Sequence, residues 1–170
     1  MSKETLYFKD NFFSADMTDI YNDAKEKVGV MDLKSAFTST VDVLNSDGKL
    51  VVSGKFPFFG MSWKVLDNQG NEIGSLKQKF TFFSKKYEYH SYNQGTFYVK
   101  SEAFSRHYEI LQGETNVIAT FDRTDGFFAS PAYRLNNQSD VLSSFELIIV
   151  IMGVNSIEQQ NQSSTNSNTI

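Results

Sequence analysis

Apolar and polar positions alternate along much of this chain, and the alternation comes in copies. Ile20-Tyr21-Asn22 leads to Val28-Gly29, Val43-Leu44-Asn45 to Val51-Val52, Val65-Leu66-Asp67 to Ile73-Gly74, and Ile110-Leu111-Gln112 to Ile118-Ala119. In each copy two aliphatic positions stand eight residues apart around a polar centre. Tyr89 and Phe97 supply an aromatic fifth copy around Ser91-Tyr92-Asn93-Gln94-Gly95. The leading positions 20, 43, 65, 89 and 110 step by 23, 22, 24 and 21 residues, and such regular self-similarity marks a repeated supersecondary unit.

Antiparallel partners across a three-residue turn are separated by four, six and then eight positions. Asn45-Ser46-Asp47-Gly48 and Asp67-Asn68-Gln69-Gly70 fit a type I turn followed by a left-handed glycine. Val43 is therefore expected to face Val51, and Val65 to face Ile73. The Ile20 copy lacks a turn glycine, and Met17, Tyr21, Ala24 and Val28 also fit a helical stripe; the shared spacing favours a hairpin there. Five hairpins make ten strands. An opening run, Thr5 to Phe8, and a late run, Phe127 to Leu135, bring the count to about twelve. Strands at this even spacing predict an all-β sandwich or barrel.

The C-terminal part breaks the pattern. Leu147-Ile148-Ile149-Val150-Ile151-Met152 is the longest aliphatic run, and Ser143 and Glu146 stand before it at capping-box spacing. Four of its six residues are β-branched, so a central strand is the competing reading. A helix apolar on every side must be buried, and this one falls well short of the about 20 residues that span a bilayer. A barrel of about twelve strands is too wide for its own side chains to fill, and an apolar helix along its axis solves that problem. The predicted fold is thus a closed antiparallel barrel of about twelve strands around a hydrophobic C-terminal helix. Residues 1–157 form one domain, and 158–170, with one charge among many Gln, Asn, Ser and Thr, form a disordered polar tail.

Composition narrows the function classes. The 170 residues include no cysteine, which excludes disulfide scaffolds, thiolate metal sites and a cysteine nucleophile. A net charge of -4 argues against nucleic acid as a partner. The start, MSKETLYFKD, lacks a basic-then-apolar signal, so the cytoplasm is the expected compartment, with peripheral contact at a membrane left open.

Gly54-Lys55-Phe56, Trp63-Lys64-Val65-Leu66-Asp67, Ile73-Gly74-Ser75-Leu76-Lys77-Gln78-Lys79-Phe80 and Lys85-Lys86-Tyr87-Glu88-Tyr89 resemble the LURP-one-related family. That family lies in the tubby C-terminal-like superfamily, with the phospholipid scramblases. The resemblance runs from about Leu6 to Ile157 and is similar to the bacterial-type members. It implies a twelve-stranded closed barrel around a hydrophobic C-terminal helix. Tubby domains bind phosphoinositide headgroups through basic residues, and scramblases are membrane-attached, whereas LURP-one-related members have no established common activity. The chain matches neither the tubby lipid-binding residues nor a cysteine-rich scramblase segment, so no binding residue carries over.

Catalytic motifs are thin. His90 and His107 are the only histidines, and alternation turns both away from the repeat's inward positions. Ser46-Asp47-Gly48-Lys49 has the spacing of a serine–lysine pair but reads as a hairpin turn. Asp16, Asp19 and Asp23 lack the spacing of a calcium loop and read as a solvated edge. Asn137-Gln138-Ser139 is a formal glycosylation acceptor that carries no weight without a secretory signal. No cofactor, metal site or catalytic residue is expected.

Charge distribution is the feature that stands out. Between Lys55 and Lys86 six lysines face Asp67 and Glu72, a local balance of +4 that leaves the rest of the chain at -8. Lys77, Lys79, Lys85 and Lys86 form the candidate anionic-ligand patch, with Phe82-Phe83-Ser84 as its neighbouring turn. The competing role for these lysines is to keep strand edges soluble. Phe56-Pro57-Phe58-Phe59-Gly60 either enters a membrane or partner or folds back to cap the barrel. The function expected is a non-enzymatic binding or scaffolding module of tubby-like kind, acting on anionic phospholipid or a protein partner. The alternative is an enzyme or a small-molecule carrier with a site in the barrel mouth.

Overall fold

The computed structural model describes residues 3–14, 16–35, 40–80, 85–101 and 106–166. Twelve strands run in order: β1 (Glu4–Lys9), β2 (Met17–Tyr21), β3 (Lys27–Ser35), β4 (Thr40–Asn45), β5 (Leu50–Lys55), β6 (Trp63–Asp67), β7 (Glu72–Lys79), β8 (Lys85–Ser91), β9 (Gly95–Ser101), β10 (Tyr108–Gln112), β11 (Asn116–Thr124) and β12 (Ala132–Asn137). Each pairs antiparallel with its chain neighbour, and β1 pairs with β12, closing the barrel. One helix, α1 (Ser144–Asn166), follows.

The five sequence repeats are the five tight hairpins, β2–β3, β4–β5, β6–β7, β8–β9 and β10–β11, and all their turns lie on one rim. Residues 16–28 therefore form a hairpin, not a helix: Lys25 takes the left-handed conformation, φ 61°, that glycine fills in the sister turns. The register differs from simple alternation. Tyr89 faces Phe97 eight residues on, as the turn geometry predicts. In the other four hairpins a bulge moves the partner to the ninth residue: Ile20 faces Gly29, Val43 faces Val52, Val65 faces Gly74 and Ile110 faces Ala119. Val51 and Ile73 are the extra residues instead of the partners. The bulge adds the local twist that a closing sheet needs. It also brings small residues to the wall: a Cβ on Gly29 would lie 2.5 Å from the Leu44 carbonyl oxygen.

The late strand begins at Ala132 rather than Phe127. Phe127 and Phe128 lie in the β11–β12 connection and fold over the outside of the β1–β2 seam. There Phe127 stacks on Tyr7 at 3.6 Å and Phe128 meets Tyr21 edge-on at 5.3 Å. This seam has a single register pair, Tyr7 with Tyr21.

The helix fills the lumen. Leu147 to Met152 and Val154 are buried on every side, as an apolar run without a polar face requires. Ser143 caps it by accepting the Glu146 N–H at 3.1 Å on its Oγ, which realises half of the expected capping box. Trp63 slots between Gly153 of the helix and Gly54 of β5, where added Cβ atoms would come within 2.5 and 2.4 Å of the indole. Opposite the helix-packed wall, Phe8, Phe12, Phe13, Tyr108, Phe121 and Tyr133 fill the remaining width. The helix occupies the axis where a carrier's ligand would sit, while a cleft of about 310 Å3 remains beside it at the barrel mouth, lined by Phe13, Leu33, Val41, Met152 and Gln159. The helix also continues through Asn166, past the start of the expected tail at 158. Glu158 anchors it by accepting hydrogen bonds from Tyr87 at 3.0 Å and Ser101 at 3.4 Å. Asn161 donates to Gln78 at 2.7 Å.

Candidate functional site

The two rims differ in chemistry. The tight turns and their flanks carry Asp23, Glu26, Asp47, Asp67, Glu72, Glu114 and Asp140 against Lys25, Lys27 and Lys49. The opposite rim, where the longer connections lie, carries Lys55, Lys79, Lys85, Lys86, Lys100 and Arg106, with Asp10, Asp16, Asp125, Glu88 beside Lys79 and Glu158 beside Lys85 and Arg106 as the described carboxylates.

On the outer face next to this second rim, pairing sets three lysines in register. Lys79 of β7 faces Lys86 of β8, and Lys86 faces Lys100 of β9. The adjacent row is Lys77, Glu88 and Tyr98. Like charges directly opposite on a sheet repel, so this row is held by its neighbours. Glu88 accepts an ion pair from Lys77 at 3.3 Å and a closer one from Lys79. The Lys79 contact, then that of Lys77, holds the Glu88 carboxyl below its usual range despite partial burial, and Glu88 in turn raises the Lys79 ammonium. The Tyr98 ring takes the Lys86 ammonium at 4.2 Å and that of Lys79 at 5.5 Å. Beyond Lys100 the row ends on Glu109. Four lysines and two glutamates leave the face net positive.

The four lysines singled out from the sequence are thus divided. Lys77, Lys79 and Lys86 share the outer face. Lys85 has the inward parity of Tyr87 and Tyr89 and stands at the rim, lining a cleft of about 340 Å3 with Ser101, Arg106, Tyr108, Asn155 and Glu158. Phe82-Phe83-Ser84 lies outside the described residues. Lys100 and Tyr98 were not anticipated, although the register that aligns Tyr89 with Phe97 also aligns Lys86 with Lys100.

Inside the same rim, burial and then the Glu158 charge push the Tyr87 and Tyr108 hydroxyls above their ordinary value, so both remain protonated donors. The histidines lie at opposite rims: His90, beside Thr96 at 3.2 Å, is near the turns, and His107 precedes β10 at the other end. Ser46 and Lys49 belong to a turn in which Asn45 Oδ1 accepts the N–H groups of Asp47 and Lys49, both at 3.0 Å. Asp19 pairs with Lys27 at 2.7 Å, while Asp23 accepts from Tyr7 at 3.0 Å. Asn137 is buried and donates to the Leu142 carbonyl, 3.0 Å, and to Ser144, 3.1 Å, bracing the entry to the helix.

The loop Phe56–Gly60 resolves between its two expected roles. Phe56 packs edge-on against Trp63 at 5.3 Å, but Phe58 and Phe59 are 93% and 86% exposed, so the tip does not cap the barrel.

The LURP-one-related family model matches residues 4–152, from the first strand into the lumen helix. The chain belongs to the LURP-one-related family. Its tubby-like barrel is similar to the X-ray structure of a protein from Arabidopsis thaliana, with a TM-score of 0.61 over 90% of this chain and 91% of that one. At 13% identity that likeness speaks for the fold alone. No curated protein matches at a significant level. No helix among the described residues is long and apolar enough to cross a membrane.

Proposed function

We propose that this LURP-one-related barrel is a non-enzymatic binding module that docks on anionic phospholipid through the lysine row of β7, β8 and β9. The observation that carries the reading is the in-register set Lys79, Lys86 and Lys100, with Lys77 alongside. Three ammonium groups across adjacent strands repel one another, and a phosphate layer relieves that repulsion. Lys100 has no ion pair among the described residues, and Lys86 has only the Tyr98 ring, so both remain available to an anion. Each lysine at a charged bilayer contributes about 1 kcal/mol.

Co-sedimentation with phosphatidylcholine vesicles, with and without phosphatidylserine or phosphoinositide, tests this at low and moderate salt. Binding is expected only to anionic vesicles and should fall with salt as the charges are screened. Reversing both Lys86→Glu and Lys100→Glu should weaken it by at least about 20-fold, from the loss of two lysine contributions alone. Unchanged affinity in the double variant would remove the reading and leave these lysines as solubilising charge.

A further inference from the structure

Large apolar side chains are seldom left almost wholly in water, and clusters of them mark contact surfaces. Phe58, Phe59 and Met61 are 93%, 86% and 92% exposed, and Phe80, at the start of the neighbouring connection, is 95% exposed. All four lie on the lysine-rich rim. The first three form a held projection: Phe56 anchors its base on Trp63, and Phe58 and Phe59 pack edge-on at 4.6 Å. Gly60 closes the tip with φ 154° so tightly that a Cβ there would lie 2.8 Å from the Pro57 ring.

We propose that the Phe58–Met61 tip and Phe80 insert into the apolar layer of an anionic phospholipid bilayer, with Lys55 and Lys79 at the headgroups beside them. The inference rests on the phospholipid reading above and adds an orientation to it: the barrel stands on the bilayer by its long-connection rim. Two features favour a bilayer over a protein partner. The exposed apolar groups come from two separate places in the chain, Phe58, Phe59 and Met61 between β5 and β6 and Phe80 just after β7. Lysines adjoin both projections, Lys55 just before the first and Lys79 just before Phe80, as an aromatic wedge in a charged interface requires. The acidic turn rim then faces away from the anionic surface.

The absence of native cysteine permits a clean test. Phe59→Cys and, in the turn on the opposite rim, Asn68→Cys are each labelled with an environment-sensitive fluorophore and mixed with phosphatidylcholine–phosphatidylserine vesicles while sedimentation is followed in parallel. The label at 59 should shift to the blue and be quenched by acyl-chain quenchers, whereas the label at 68 should do neither. Vesicle binding with the label at 59 still in water overturns insertion but leaves the lysine reading standing. Absence of vesicle binding overturns both in favour of a protein partner. The double variant Phe58→Ser, Phe59→Ser provides a second measure: affinity should drop about tenfold or more at unchanged melting temperature, since neither ring packs in the core. Unchanged affinity also refutes insertion.

Discussion

Lys25 shows how a single residue can depart from its repeat without breaking it. In three turns the first residue accepts a backbone N–H from four residues on: Asn22 from Glu26 at 2.9 Å, Asn45 from Lys49 at 3.0 Å, and Asp67 from Asn71 at 2.8 Å. The fourth residue is Gly48 or Gly70 in two of them and Lys25 in the other, all at positive φ. A side chain in that conformation costs about 1 kcal/mol. Lys25→Gly should therefore raise the unfolding free energy by a few tenths to about 1 kcal/mol, the lower end reflecting loss of the Lys25 contact over Phe127. A urea titration reads this out, and a fall in stability would show that the Phe127 contact outweighs the backbone strain. At this scale the sequence was partly legible. Turn asparagines and glycines announce themselves locally, and Lys100 follows from the β8–β9 register. The partnership of Tyr89 with Glu146, or of Trp63 with Gly153, does not, because each joins the barrel wall to a helix residue remote in sequence.

Among elements, the helix carries the most informative titration. Glu146 sits in its first turn, half-buried, and accepts the Tyr89 hydroxyl at 2.5 Å. Burial pushes this carboxyl up, and the hydrogen bonds from Tyr89 and Ser91 only partly oppose it. A carboxyl raised on folding is protonated in the native state before the unfolded chain takes up the proton. Glu146 thus costs stability at neutral pH, and that cost disappears as pH falls through its raised value toward the ordinary 4.5. Asp19, Asp67, Glu72 and Glu88 are held low and act oppositely, losing their contributions on acidification. Comparing wild type with Glu146→Gln, which keeps an acceptor for Tyr89, isolates the effect: the variant should gain on wild type as pH rises from 4.5 through the raised value, and the gain should level off above it. A constant difference across that range would mean that Glu146 is not destabilised by burial. The elements themselves were largely readable, because period-two alternation and the aliphatic run survive in the fold. The bulges and the helical extension to Asn166 were not. A bulge leaves no residue signature here beyond a small partner such as Gly74, and the final turns rest on Glu158 and Asn161 reaching side chains of β7, β8 and β9.

For the molecule as a whole, closure is uneven. The β1–β12 side of the first strand has six register pairs and the β1–β2 side has one, over which Phe127 and Phe128 are laid. Phe127→Ala should lower stability by about 1 kcal/mol, the worth of a stacked aromatic pair. In hydrogen exchange it should release the amides of β1 and β2 while those of β8 and β9 stay protected; uniform loss of protection would mean the seam is not the point of opening. The lumen helix has a further consequence, for how the chain comes into being. The first strand's main partner is the twelfth, and the helix that fills the lumen is synthesised only after both. A growing chain thus has hairpins but nothing to wrap around, and its apolar faces stay open until α1 has emerged from the ribosome. Folding must then combine threading of α1 with sealing of β1 against β12, contacts of the greatest sequence separation available, which makes it slow and leaves the nascent chain dependent on protection from aggregation. Chains cut short before Leu147 are not smaller versions of this barrel; they are barrels that never form.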